Sequence, residues 1–238
     1  MCTVTFLPQK EGYILTSNRD ESALRSPQNI TSITKNGQKL VFPRDKGAGG
    51  SWITLSDSNR LVCLLNGAFE RHERQLPYRI SRGQMVLEFF DYQDANLFFR
   101  QFNFDNIEPF TMIIIDKEQL YDFRWDGQRQ HVLALDPQER HIWSSATLYE
   151  KEVQDKRKKW FAEWIAERTD FSRAAILELH KKGGEGNPSI DFMMNRYNYL
   201  VQTISITQII KTKQVVEMFY HDLITNQKRT KTLKIKKE

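Results

Sequence analysis

Cysteine is scarce in this chain of 238 residues: there are two, Cys2 and Cys63. Two cysteines make no disulfide framework, so a packed core must hold the fold, and the pair fits a reducing compartment. Long apolar runs are missing too. The longest are of strand length, which excludes a helical membrane span. Residues 1–6 lack the basic start and apolar stretch of a signal peptide. The expectation is a cytoplasmic protein without a membrane span. The five histidines, His72, His131, His141, His180 and His221, fall in no metal-ligand spacing, so no metal site is expected. Residues 47–50 lack the Lys-Ser/Thr of a phosphate loop. There are no repeats, low-complexity tracts or convincing linkers. The length then suits one domain over residues 1–238.

Net charge is a modest +5, and the last residues supply it. The segment 228–237 holds six basic residues, interleaved with Thr232, Leu233 and Ile235. That alternation predicts a strand whose lysines face solvent and guard a sheet edge. No nucleic-acid motif accompanies the basic tail, so no nucleic-acid partner is expected.

What is present is concentrated at the start. Residues 3–7 and 13–16 are β-rich, and Pro8-Gln9-Lys10-Glu11-Gly12 is a turn by composition. Opposed residues in an antiparallel hairpin have a constant sum of positions. A turn centred at Lys10–Glu11 gives a sum near 21 and sets Cys2 opposite Arg19, within the run Asn18-Arg19-Asp20-Glu21. A small residue at position two invites removal of Met1. Cys2 would then carry a thiol and a free α-amine on one residue, the equipment of an N-terminal nucleophile. Both groups titrate near neutrality. Arg19 would favour the thiolate, Asp20 would orient the protonated amine, and Asn18 would donate to an oxyanion or substrate carbonyl. A second reading stands beside this one: a buried cysteine on a first strand, followed by a solvated polar loop.

Further along, residues 22–35 read as a loop. A short strand at 39–42 leads to Gly47-Ala48-Gly49-Gly50. Residues 51–55 and 60–65 make a second hairpin ending at Asn66-Gly67, which is either a turn dipeptide or a way to aim an amide at the site. Ser81 caps a helix to about Phe90, and a second helix covers 94–102. Strands follow at 110–115, 119–125, 130–135 and 142–145. An amphipathic helix spans 149–168, and Asp170 caps another that stops at Gly183-Gly184. Strands at 200–210, 214–223 and 230–236 close the chain. Helices grouped between runs of strands argue an α+β fold. Cys63 and the Phe89-Phe90 and Phe98-Phe99 pairs read as core. His72 lies in a polar loop after Asn66, and His180 lies where a cation suits a helix end.

Together these residues resemble the NRDE family, also called the transport and Golgi organisation protein 2 family. The resemblance rests on Met1-Cys2, Thr16-Ser17-Asn18-Arg19-Asp20-Glu21, Arg25-Ser26-Pro27, Gly49-Gly50-Ser51-Trp52-Ile53, Leu64-Leu65-Asn66 and the Arg82-Gly83 that opens the first helix. It runs nearly end to end. That family is similar to choloylglycine hydrolases and penicillin V acylases, amidases with a four-layer αββα sandwich. The resemblance implies that sandwich here, with Cys2 as nucleophile, Asp20 beside its amine and Asn66 near an oxyanion hole. It implies an amidohydrolase or acyltransferase acting on a small amide or thioester, with no cofactor required. It also implies a second role, a non-catalytic carrier of haem, acyl-lipid or acyl-coenzyme A. Three positions depart from the pattern. Ser17 stands where the amidases have arginine, Ser145 where an asparagine oxyanion donor is usual, and Ile204 where relatives carry arginine. Asn18, Arg19 and Ser145 are expected to face the substrate.

Overall fold

The computed structural model describes residues 3–27, 29–196 and 198–236. Its first element is the anticipated hairpin, β1 (Thr3–Gln9) and β2 (Gly12–Glu21). The pairs run from Thr3↔Asn18 to Gln9↔Gly12, so every pair sums to 21. Sheet one continues outward on both sides of this hairpin, in the order β10 (His141–Ser144), β1, β2, β12 (Val201–Lys211), β13 (Val215–Asp222), β14 (Lys228–Lys234). The short β11 (Asn195–Arg196) also pairs with β12. Sheet two is an unbroken antiparallel meander: β3 (Ile30–Lys35), β4 (Gln38–Pro43), β5 (Ile53–Ser56), β6 (Arg60–Asn66), β7 (Phe110–Asp116), β8 (Gln119–Trp125) and β9 (Gln130–Leu135).

Strand alternation builds the layers. On β1 and β2, Val4, Phe6, Tyr13 and Leu15 point inward, where they meet Ile53, Leu55, Cys63, Leu65 and Ile113 of the second sheet. Leu7 and Ile14 point the other way. They pack with Phe161, Ile176 and Leu179 of α3 (Lys151–Ala166) and α4 (Arg173–Lys182). On the far face of sheet two, Phe42, Val62, Leu64 and Met112 meet α1 (Arg82–Glu88) and α2 (Ala95–Gln101). The order is therefore helix, sheet, sheet, helix, an α+β sandwich. The α2 layer is unusually aromatic: the Phe98 ring lies 4.8 Å from Phe102 and 5.2 Å edge-on to Phe89. Each such buried ring is worth about 1.5–3 kcal/mol relative to exposure. No helix among the described residues is long and apolar enough to cross a membrane.

Local chemistry explains most boundaries. Ser81 accepts from the Gln84 amide at the start of α1, and Asp94 accepts from the Leu97 amide at the start of α2. Two expectations are corrected. Ser172, not Asp170, caps α4 through the Ala175 amide; Asp170 instead accepts from the Ser172 amide at 2.8 Å. The stretch read as a loop over 22–35 ends in β3, because Ile30 and Thr31 find ladder partners in Pro43 and Phe42. The lysine-bearing C-terminal strand does lie at a sheet edge. In β14 only Leu233 turns into the core, while Lys228, Lys231 and Lys234 are exposed.

Candidate functional site

The period of two that builds the layers also divides the Asn18–Glu21 run. Odd positions of β2 share the face of Tyr13 and Leu15, toward the second sheet. Even positions share the face of Ile14, toward α3 and α4. Arg19 therefore points between the sheets, whereas Asn18 and Asp20 point beneath the helices.

On the helix side, Asn18 is fully buried. Its amide donates to the carbonyls of His180 at 3.0 Å and Phe192 at 2.7 Å. Its carbonyl oxygen, which can only accept, lies 2.8 Å from His180 Nδ1, so that nitrogen carries the proton. Nε2 then accepts from the Thr5 hydroxyl at 2.8 Å. Burial first, and the nearby Arg157 cation second, push the His180 pKa down to about 3. The ring is neutral and structural, not the helix-end cation the sequence suggested. Arg157 is itself buried, donating to the carbonyls of Ile190 and Asp191 and to Thr3, with its guanidinium 3.5 Å over the Tyr149 ring. Asp20 sits beside this network. Its two oxygens accept from the hydroxyls of Tyr149 at 2.9 Å and Thr203 at 2.5 Å. The bulge in β12 between Thr203 and Ser205 lets Thr203 oppose Asp20 while Ser205 opposes Arg19. Ile204 lies at that bulge, fully buried.

On the sheet-facing side, Arg19 reaches a cavity of ≈ 640 Å³ at the end of the sandwich. Its guanidinium lies 4.1 Å over the Trp52 ring, pairs with Asp45 and donates to the Arg25 carbonyl at 3.1 Å. Burial lowers the Arg19 pKa, and Asp45 and Glu21 oppose that, so the group stays charged at neutral pH. Asp45 organises the cavity wall. It also takes Arg25 at 2.9 Å and accepts from the amides of Gly47 and Ala48, each at 2.8 Å. Asn66 ends β6 on the same face as Leu64, and both line the cavity. Gly67 breaks the strand there at φ +76 with its amide on the Pro109 carbonyl, so Asn66-Gly67 terminates a strand and is not a hairpin turn. The remaining wall is the start of α1 and the loop before it, residues 74–81.

Ser145 is buried and does not line the cavity. Its hydroxyl donates to the Asn66 carbonyl at 2.8 Å and lies 3.1 Å from the Thr147 hydroxyl, so it ties the end of β10 to the end of β6. The structure thus brings Arg19 and Asn66 to one cavity and places Asn18, Asp20 and Ser145 behind it. Cys2 and Met1 lie outside the described residues. Cys63 is core: burial pushes its thiol up to about 12.

Two site residues escaped sequence reasoning. Asp45 had a signal, since an aspartate in a glycine-bearing turn such as Asp45-Lys46-Gly47-Ala48 readily accepts from the amides two and three residues on. Glu108 had none. It gathers Arg82 at 3.1 Å, Arg74 at 3.3 Å and His72 at 3.4 Å across the cavity rim. Five arginines line the cavity (Arg19, Arg25, Arg74, Arg79 and Arg82) against three carboxylates, Glu21, Asp45 and Glu108. Each carboxylate is already paired with an arginine, so the wall carries a positive surplus. Among the described residues no group of His, Cys, Asp and Glu is arranged to hold a metal ion.

Comparison with known proteins places this geometry. A sequence profile described as Transport and Golgi organisation 2 matches residues 1–218. No curated protein sequence matches significantly. Among solved structures, two variants of conjugated bile acid hydrolase from Clostridium perfringens superimpose with TM-score 0.54 at 10% and 9% identity, covering 100% of this chain and 97% of theirs. The Caenorhabditis elegans N-acylethanolamine-hydrolyzing acid amidase ortholog does so with TM-score 0.51 at 13% identity, covering 88% of this chain and 92% of its own. At such identities the likeness is one of fold: the sandwich of the N-terminal-nucleophile hydrolases.

Proposed function

Since the chain belongs to the Transport and Golgi organisation 2 family, on a scaffold shared with amide hydrolases, we propose that it is an N-terminal-cysteine amidohydrolase or acyltransferase for a small amide or thioester. The observation that carries the reading is the convergence of Arg19 and Asn66 on one cavity, at the end of the hairpin that begins the chain. In this reading, loss of Met1 frees the α-amine of Cys2. The amine takes the thiol proton as sulfur attacks the carbonyl carbon, and a tetrahedral oxyanion forms. The Asn66 amide donates to that oxyanion. Asp20, fixed by Tyr149 and Thr203, steadies the ammonium. The ammonium returns its proton to the leaving nitrogen or sulfur as the C–N or C–S bond breaks. Water, or a second acceptor, then releases the acyl group from Cys2. The arginine surplus suits substrates rich in oxygen or carrying negative charge.

Mass spectrometry of the intact protein tests the first step, because retained Met1 blocks the amine. An acylating thiol probe at neutral pH tests the second. Selective labelling of Cys2, with Cys63 silent in its dry surroundings, is the expected result; no labelling, or equal labelling, refutes it.

One observation favours a second reading. Ser145, in the place of an expected oxyanion donor, spends its hydroxyl on Asn66 and Thr147. A site with one donor fewer suits a carrier of haem, acyl-lipid or acyl-coenzyme A. Saturable binding without turnover, indifferent to Cys2→Ala, selects the carrier; turnover lost in Cys2→Ala selects the enzyme.

A further inference from the structure

Among the described residues, nothing covers the β9 edge of sheet two. A sheet edge exposes a row of unpaired amides and carbonyls, and folded proteins protect it with charge, a bulge or a covering element. The edge strand β14 carries Lys228, Lys231 and Lys234 in solvent, and β3 packs beside it. β9 has neither device. Its sequence, Gln130-His131-Val132-Leu133-Ala134-Leu135, contains no lysine, arginine or carboxylate, and five of its six residues are exposed. Val132 is 46% and Leu133 59% exposed. Being consecutive on a strand, they leave apolar surface on both faces of the sheet. Phe69, 48% exposed, widens the patch: its ring meets His131 edge-on at 4.9 Å.

We infer that β9 pairs with β9 of a second copy of this chain, joining the two meanders into one continuous antiparallel sheet about a two-fold axis. Charge selects this occupant. β9 is preceded by exposed Arg129 and followed by exposed Asp136. Antiparallel pairing of two identical strands sets the Arg129 end of each against the Asp136 end of the other, while parallel pairing would set like against like. Hydrogen-bond parity narrows the register. Opposed residues in an antiparallel pair either both bond across the shared ladder or both turn away from it, so a two-fold seats a residue against itself. With Val132 or Leu133 on the axis, the apolar side chains of both copies cover one another. The arrangement closes at two copies, because a two-fold pairing uses the β9 edge of both.

Sedimentation equilibrium between about 1 and 200 µM tests the pairing. The expected result is a mass rising from one chain to two and no further. Val132→Lys with Leu133→Lys places like charges across the axis and is expected to hold the protein at one chain throughout, with an unchanged circular dichroism spectrum, because both side chains are exposed in the single chain. Arg129→Glu is expected to weaken association about tenfold, through two exposed ion pairs reversed, and adding Asp136→Arg is expected to restore it. A single-chain mass at every concentration, growth beyond two chains, or a dimer indifferent to the double-lysine variant overturns the inference.

Discussion

His180 offers a sharp test of how the Asn18 face is built. The ring is buried and neutral, with a pKa held at about 3 against an ordinary 6.5. In the unfolded chain the ring takes up a proton as pH falls through 6.5; in the fold it does not until about 3. The unfolded state therefore binds more protons across that window. Stability is fully present above pH 6.5 and is lost progressively as pH falls toward 3. The loss amounts to about 2 kcal/mol at pH 5 and at most about 5 kcal/mol at pH 3. Asp126 titrates in a separate range. There, burial pushes the carboxyl up, but the hydrogen bonds from His131 and the amides of Arg129 and Gln128 together outweigh it, and its pKa of about 2 bears on stability only below about pH 4. The assay is urea denaturation of the whole chain at pH 7 and pH 5, for the native protein and for His180→Leu. The variant leaves Asn18 Oδ1 and the Thr5 hydroxyl without partners, so it is expected to lose about 2–4 kcal/mol at pH 7. It is also expected to lose about 2 kcal/mol less than the native protein between pH 7 and pH 5. Equal pH dependence in the two proteins refutes the neutral, buried ring.

Three other perturbations separate site chemistry from scaffold. Asn66→Ala is expected to lower the turnover of a cleaved amide or thioester about 10²–10³-fold, with the melting temperature little changed, in a steady-state assay paired with calorimetry. Asp45→Ala strands the Arg19 guanidinium in a buried site and is expected to cost about 3–5 kcal/mol in denaturant titration, with Asp45→Asn recovering part through the Gly47 and Ala48 amides. Gly50→Ala puts a methyl group 2.3 Å from the Gly83 carbonyl carbon, so it is expected to push α1 off the cavity wall and abolish ligand binding, read by titration calorimetry.

The α+β class was legible in the element order, and the sandwich came through the family resemblance; its layers then follow from alternation. The hairpin register, the strands between residues 39 and 135 and the helix cap at Ser81 all rest on local chemistry. β3 was not legible: a polar stretch such as Thr31-Ser32-Ile33-Thr34 becomes a strand only when Phe42 and Val41 lie alongside. The site was legible as a location and not as an arrangement. Asn18, Arg19, Asp20 and Glu21 read as one polar cluster, yet a strand cannot present neighbours to one space. Once β2 runs through Glu21, the cluster must split, and the split assigns the work. Arg19 meets the cavity and, with Asp45 and Trp52, sets its charge and shape. Asn18 and Asp20 face α3 and α4, where Tyr149, Thr203 and His180 hold them still. The same division explains why the third departure, Ile204, is tolerated: at the bulge that sets Thr203 against Asp20, an apolar side chain takes a fully buried place. What the motif supplies is a strand with a charged face and a braced face, and the chemistry proposed for the chain's start depends on both.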